Sequence, residues 1–256
     1  MAKIGIIGGS GLDNPDILHN AKDLVIETPY GATASPVRAG TIGEHDVYLL
    51  ARHGREHTVP PSQVNNRAHI HALKTLECDC ILTTTAVGSL REEIRRGDLV
   101  ILDQFIDFTR HRAITFHETF APHAPAHTPM ADPFSAPLRD VLIGCCQTLN
   151  IPHHKTGTVV TIEGPRFSTR AESNMFRLWG ADVINMSIAP EAILANEAGI
   201  PYASVAMSTD YDCWKTDEEP VSWDDIISIF VANAQKVTDV LVRAINQVPC
   251  AGLSKG

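Results

Sequence analysis

Apolar residues gather in short unbroken runs at 4–7, 47–51, 80–85, 99–102, 159–162, 183–186 and 202–207, each bounded by turn residues. Runs of that length without polar alternation predict strands covered on both faces. Between them the period changes. Residues 62–77 follow Pro60-Pro61 and bring Val64, Ala68, Ala72, Leu73 and Leu76 to one helical face, and 136–149 and 190–198 carry further helical patterns. A last helix opens on Ser222-Trp-Asp-Asp225, which has the form of a capping box. It continues through Ile226, Phe230, Val237, Leu241 and Ala244 to end near Pro249. This alternation predicts an α/β fold: one domain over 1–256, with a central mixed, mostly buried twisted sheet flanked by helices. Residues 103–137, rich in His, Pro, Phe and Thr, lack a clean period and read as a long functional or interfacial excursion over one face.

Composition narrows the partners. A net charge of −9, with no like-charged run longer than Asp217-Glu218-Glu219, argues against nucleic acid or an anionic membrane surface and leaves small polar ligands open. No apolar stretch reaches the roughly 18 residues of a membrane span. Met1-Ala-Lys leads directly into the first strand instead of a signal peptide, so a cytoplasmic location is expected. The cysteines at 78, 80, 145, 146, 213 and 250 form no C-x2-C pair, and the histidines show no H-E-x-x-H spacing. Reduced, packed thiols and no metal are expected.

The candidate chemistry sits where the predicted strands end. Ser208-Thr-Asp-Tyr-Asp-Cys-Trp214 hangs Asp210 and Asp212 beyond the apolar run 202–207. A carboxyl at a strand mouth, partly desolvated, can hold a proton near neutrality and pass it to a leaving group; alternatively both acids are solvated turn residues. Ile4-Gly-Ile-Ile-Gly-Gly-Ser-Gly-Leu12 is a strand followed by a Gly-rich loop, where backbone amides can approach an anion. It does not complete G-x-G-x-x-G, which weakens a dinucleotide-dependent reductase. A tight turn with Ser10 as a helix cap is the other reading. Arg52 and His53 follow the 47–51 run, where an arginine can grip an oxyanion bidentately or form a surface ion pair. Thr83-Thr-Thr-Ala-Val-Gly-Ser89 ends a further strand in hydroxyls and small residues, and ligands in α/β folds collect at such carboxyl edges.

With Thr161-Ile-Glu-Gly-Pro-Arg-Phe-Ser168 and Val183-Ile-Asn-Met-Ser187 added, the motifs resemble, in order and over nearly the whole chain, the trimeric purine nucleoside phosphorylase family. The likeness is to its branch acting on 5′-methylthioadenosine. The resemblance implies a phosphate site of Ser10, Arg52, His53, Thr85, Ala86 and Ser187. It implies a nucleoside site of Phe167, Ile184, Asn185, Met186, Asp210, Asp212 and Trp223, with His127 lent by a neighbouring subunit to the 5′ pocket. It further implies Asp210 as general acid at purine N7, phosphate as co-substrate with no cofactor, a reaction of purine and methionine salvage, and a homotrimer or hexamer. The branch acting on 6-oxopurines usually has Asn in place of Asp210 and Glu in place of Ser168, so both departures favour adenine. A hydrolytic nucleosidase, a 6-oxopurine or methylthioinosine phosphorylase, and a non-catalytic adenine-nucleoside binder stay open as alternatives.

Overall fold

In a computed structural model, residues 1–9, 16–217 and 223–249 are described, the side chains of 223–226 excepted. In chain order the strands are β1 (Lys3–Gly8), β2 (His19–Leu24), β3 (Val37–Ile42), β4 (His45–Ala51), β5 (Cys80–Ser89), β6 (Leu99–Ile101), β7 (Gln104–Phe108), β8 (His153–His154), β9 (Thr158–Ile162), β10 (Val183–Asn185) and β11 (Tyr202–Tyr211). The helices are α1 (Asn66–Thr75), α2 (Ala136–Thr148), α3 (Arg170–Leu178), α4 (Ile188–Ala198) and α5 (Trp223–Ile245).

The strands join one sheet ordered β2-β3-β4-β1-β5-β10-β9-β7, with β11 added on β5 and β6, and β8 on β6. The sheet is mixed, as the alternating runs predict. Its branch point is β5, which is long enough to serve several partners. The first half of β5 pairs β1 in parallel, its last two residues pair β10 antiparallel, and β11 runs parallel along its length. A ladder that changes partner and direction midway leaves a crevice outside the carboxyl ends of the strands, the place where open α/β sheets bind ligands.

Each face of the sheet is covered by helices. Leu138, Leu142 and Cys145 of α2 and Phe230, Val237 and Leu241 of α5 pack with Ile4, Leu82 and Val205 on one side. Ile70 and Leu73 of α1 and Ala192, Leu194 and Ala195 of α4 pack with Ile7, Ile81 and Ala206 on the other. Burying each large aliphatic side chain contributes about 1.5–3 kcal/mol, which explains why these strands read as continuous apolar runs.

The 62–77 pattern resolves into a 3-10 turn (Pro61–Gln63) and α1, which starts where the Asn65 side chain accepts from the Ala68 amide at 3.1 Å. The stretch 103–137 is not wholly irregular, because β7 forms an edge strand on β9. The helix α3 is carried by a reciprocal capping box between Thr169 and Glu172. The capping box read at Ser222–Asp225 lies outside the described side chains. The free thiols are Cys78, Cys80, Cys145, Cys146 and Cys213, with Cys250 outside the described residues. Among the described residues no helix is long and apolar enough to cross a membrane, and no cluster of His, Cys, Asp or Glu could hold a metal ion.

Candidate active site

At the sheet's branch point lies a cavity of about 320 Å³, lined by Arg52, His53, Thr85, Ala86 and Ser187 and by Phe167, Ser168, Ile184, Asp210 and Asp212. Thr85 and Gly88, the ladder partner of Asp210, stand three residues apart on β5, roughly 10 Å along the strand, which sets the two groups apart. Asn185 and Met186 line it as well. The sequence-predicted residues thus meet in one place, although they come from five strands, β4, β5, β9, β10 and β11, and the segments that follow them. Ser10 lies outside the described residues, as does the side chain of Trp223. His127 sits in the long excursion, its ring 5.7 Å from that of Phe120, and is not among the cavity's lining residues.

The anion end is built on a buried ion pair. Arg52, 1% exposed, follows β4 and donates from Nη1 to the Thr84 carbonyl at 2.9 Å and from Nη2 to Thr83 Oγ1 at 2.6 Å. Its Nε and Nη2 both go to Glu191 of α4, the Nη2 contact measuring 3.1 Å. Glu191, 0% exposed, also accepts from Thr83 Oγ1 at 3.3 Å and from the Tyr202 hydroxyl at 2.8 Å. The two-pronged face expected to meet an oxyanion is therefore turned to a carboxylate. The physical reason is burial, since a guanidinium out of water must be paired within the protein. Gly9 makes the packing possible, because a Cβ there would collide with Arg52 Nη1 and stand 2.8 Å from the Thr84 carbonyl.

His53 is neutral. Burial, and after it the adjacent Arg52 charge, push its pKa down to about 3, and Nδ1 faces the Val59 carbonyl at 2.9 Å. A carbonyl requires a donor, so the proton resides on Nδ1 and Nε2 carries the lone pair. Beside it, the Thr85 and Ser187 hydroxyl oxygens are 3.2 Å apart. Asn185 braces them, donating from Nδ2 to Thr85 Oγ1 at 3.2 Å and accepting from Thr161 Oγ1 at 2.8 Å. Ser187 stands at the N-cap position of α4 without a side-chain cap bond, so both its hydroxyl and the positive end of the helix belong to this cavity.

The other end carries the acids. The apolar run placed Asp210 beyond a strand ending at 207, whereas β11 continues to Tyr211 and keeps Asp210 within the sheet, 7% exposed. Asp210 pairs with Gly88, where an added Cβ would lie 3.0 Å from Asp210 Oδ2. Asp212 is held by Ser168, whose hydroxyl lies 2.6 and 2.9 Å from its carboxylate oxygens, and by its own amide on the Ser89 carbonyl at 3.0 Å. Ile184, Met186, Val87 and the half-exposed Phe167 give the cavity apolar walls. The arrangement can therefore hold an anion at one end and a flat, polar-edged ring at the other.

Several residues of the site escaped notice in the sequence. Glu191 is one polar position of a helix in the sequence; Thr209 and Gly88 lie inside the Ser208–Trp214 and Thr83–Ser89 segments without a pattern of their own, and only the strand pairing gives them a role. His57, whose ring centroid is 4.5 Å from that of His53, also lines the cavity and carried no signal of its own.

Residues 3–246 match the model of the phosphorylase superfamily. The chain is 55% identical over 249 residues to S-methyl-5′-thioadenosine phosphorylase of Xenopus tropicalis and 53% identical over 248 residues to that of Danio rerio, covering in each case 96% of this chain and 89% of the relative. Among solved structures it is similar to methylthioadenosine phosphorylase from Schistosoma mansoni in complex with adenine, with a TM-score of 0.93, 38% identity, and coverage of 98% of this chain and 93% of that one. A point mutant of the Schistosoma mansoni adenosine/methylthioadenosine phosphorylase in complex with methylthioadenosine matches with a TM-score of 0.92 at 37% identity, over 98% of this chain and 93% of that one.

Proposed function

The chain belongs to the phosphorylase superfamily, and we propose that it cleaves 5′-methylthioadenosine with inorganic phosphate, giving adenine and 5-methylthioribose 1-phosphate. The observation that carries this reading is the placement of a buried carboxyl, Asp210, and a hydroxyl pair, Thr85 and Ser187, beside Arg52 in separate parts of one cavity. A nucleoside lying between them has its base at the acid and its anomeric carbon toward the phosphate.

Asp210 gives its proton to purine N7 as the glycosidic bond breaks, and the bonding pair leaves with the base. A phosphate oxygen forms the new bond to C1′, and the bound anion steadies the positive charge that develops on the sugar. The base gains one proton and phosphate loses one, so the reaction balances without any cofactor. Because Glu191 offsets the Arg52 charge and His53 is neutral, phosphate is held mainly by hydroxyls, amides and the α4 terminus. The 6-amino group of adenine is a donor, and the Asp212 carboxylate, with the carbonyl oxygen of the Asp210 carboxyl, supplies acceptors for it; a 6-oxo group would face acceptors with an acceptor.

His127, which does not line its own cavity, is assigned in this reading to the 5′ pocket of a neighbouring copy in a homotrimer. Free, largely buried thiols suit the reducing cytoplasm. A hydrolase would have little use for the Arg52, Thr85 and Ser187 cradle, since water needs none. A product assay on methylthioadenosine, adenosine and inosine, each with and without phosphate, tests the reading. Adenine should appear from methylthioadenosine only when phosphate is present; equal release without phosphate would establish a hydrolase, and faster turnover of inosine a 6-oxopurine enzyme.

A further inference from the structure

The strand that carries the acid is not regular. Along the β5 and β11 ladder, Ser208 pairs with Val87 and Asp210 pairs with Gly88, so Thr209 is an extra residue with no ladder partner of its own. In a regular strand, neighbours point to opposite faces, and only one of residues 209 and 210 could face the cavity. A bulge breaks that alternation and re-aims a side chain. Here both Thr209 and Asp210 line the cavity. The bulge brings the Thr209 hydroxyl, 1% exposed, to 2.8 Å from Asp210 Oδ1 and 3.3 Å from the Val87 carbonyl.

One hydroxyl hydrogen cannot serve both acceptors at once. While Asp210 still holds its proton, the Thr209 hydrogen has the Val87 carbonyl as an alternative acceptor. Once Asp210 is ionised, the shorter contact to a charged oxygen is the stronger bond. Resting on the assignment of Asp210 as general acid, we propose that Thr209 is a positioning residue: its bulge-borne hydroxyl holds the Asp210 carboxylate after the proton has left, and so governs how readily that proton is given to the base. Among the described residues, the other titratable groups lining the cavity are Asp212, tied to Ser168, and Arg52, His53 and His57.

The sign follows from the chemistry. A hydrogen bond donated to the ionised form makes the carboxyl a stronger acid, so removing the hydroxyl makes it weaker. The acid must be protonated to act, and activity is lost as pH rises through its ionisation. Thr209→Val should therefore move the alkaline limb of the kcat profile up by about one pH unit and lower the plateau about tenfold, the scale of one hydrogen bond to a charged group. KM for phosphate should stay within about twofold, because the contacts of the Thr209 hydroxyl go to Asp210 and the Val87 carbonyl and not to Thr85 or Ser187.

The experiment measures kcat against pH on methylthioadenosine at saturating phosphate for wild type, Thr209→Val, Thr209→Ser and Asp210→Asn, with thermal unfolding of each. Thr209→Ser, which keeps the hydroxyl, should return both limb and plateau to within about twofold of wild type. If valine is not tolerated, Thr209→Ala also lacks the hydroxyl and is read in the same way. A limb that stays in place in the hydroxyl-free variant, or a serine variant that behaves like valine, overturns the proposal while Asp210→Asn remains inactive. An active Asp210→Asn enzyme would instead remove Asp210 as the acid, and the role of Thr209 with it.

Discussion

At the scale of single residues, a motif gives away which side chains gather at a site more readily than what each is bonded to. Arg52 shows the difference. Its place after a strand was legible, but its partner was not, because Glu191 lies 139 positions away on a helix whose other residues are mostly apolar. The pair is fully buried, so removing one member strands a charge. Glu191→Ala should lower the unfolding free energy by about 3–5 kcal/mol, and Glu191→Gln by less, since the amide still accepts from the guanidinium. Urea denaturation followed by circular dichroism measures both. A loss below about 1 kcal/mol for the alanine variant would mean that the pair is not the buried anchor described above.

At the scale of elements, the buried strands were legible because strands covered on both faces leave long apolar runs, and the misses have a common physical cause. β2 is exposed along most of its length, and β7 is half-buried at the sheet edge, so neither carries a continuous apolar signal. The helix α3 starts from Thr169 and Glu172, a capping box immediately after the Thr161–Ser168 segment. β11 is longer than its apolar run, because Ser208, Thr209 and Asp210 are polar yet held along β5. That pairing makes Gly88 a test of how the sheet positions the acid. A Cβ at Gly88 would lie 3.0 Å from Asp210 Oδ2 and 3.1 Å from Ile184 Cγ2, so Gly88→Ala must displace the carboxyl. Turnover of methylthioadenosine should fall about 100-fold while KM for phosphate stays nearly constant, because misplacing a reacting group costs rate before it costs remote binding. Steady-state kinetics in both substrates would show it, and unchanged turnover would mean that the strand pairing does not set the acid's position.

At the scale of the whole molecule, a layered core holds polar groups deep inside, and two of them tie stability to pH. His53 and His69 both have pKa values pushed down to about 3, chiefly by burial, and His69 accepts the Ala34 amide at Nε2 over 3.0 Å, a role open only to the neutral ring. Below the free-histidine value of about 6.5 the unfolded chain takes up protons that the folded chain refuses. Stability should therefore be flat above about pH 6.5 and fall as pH drops toward 3, by about 1.4 kcal/mol per pH unit for each histidine. Denaturant midpoints across about pH 4–8 check this, and a midpoint constant from about 6.5 to 4.5 would contradict it. The same layering gives the catalytic reading its form, with the anion-binding hydroxyls and the acid fixed in one cavity. The most direct test of the acid is to supply a substrate that does not need one. A methylthioadenosine already methylated, and hence cationic, at N7 leaves without protonation, so Asp210→Asn should process it at close to the wild-type rate while losing about 10²–10⁴-fold on methylthioadenosine itself. An equal loss on both substrates would show that Asp210 does not deliver the proton.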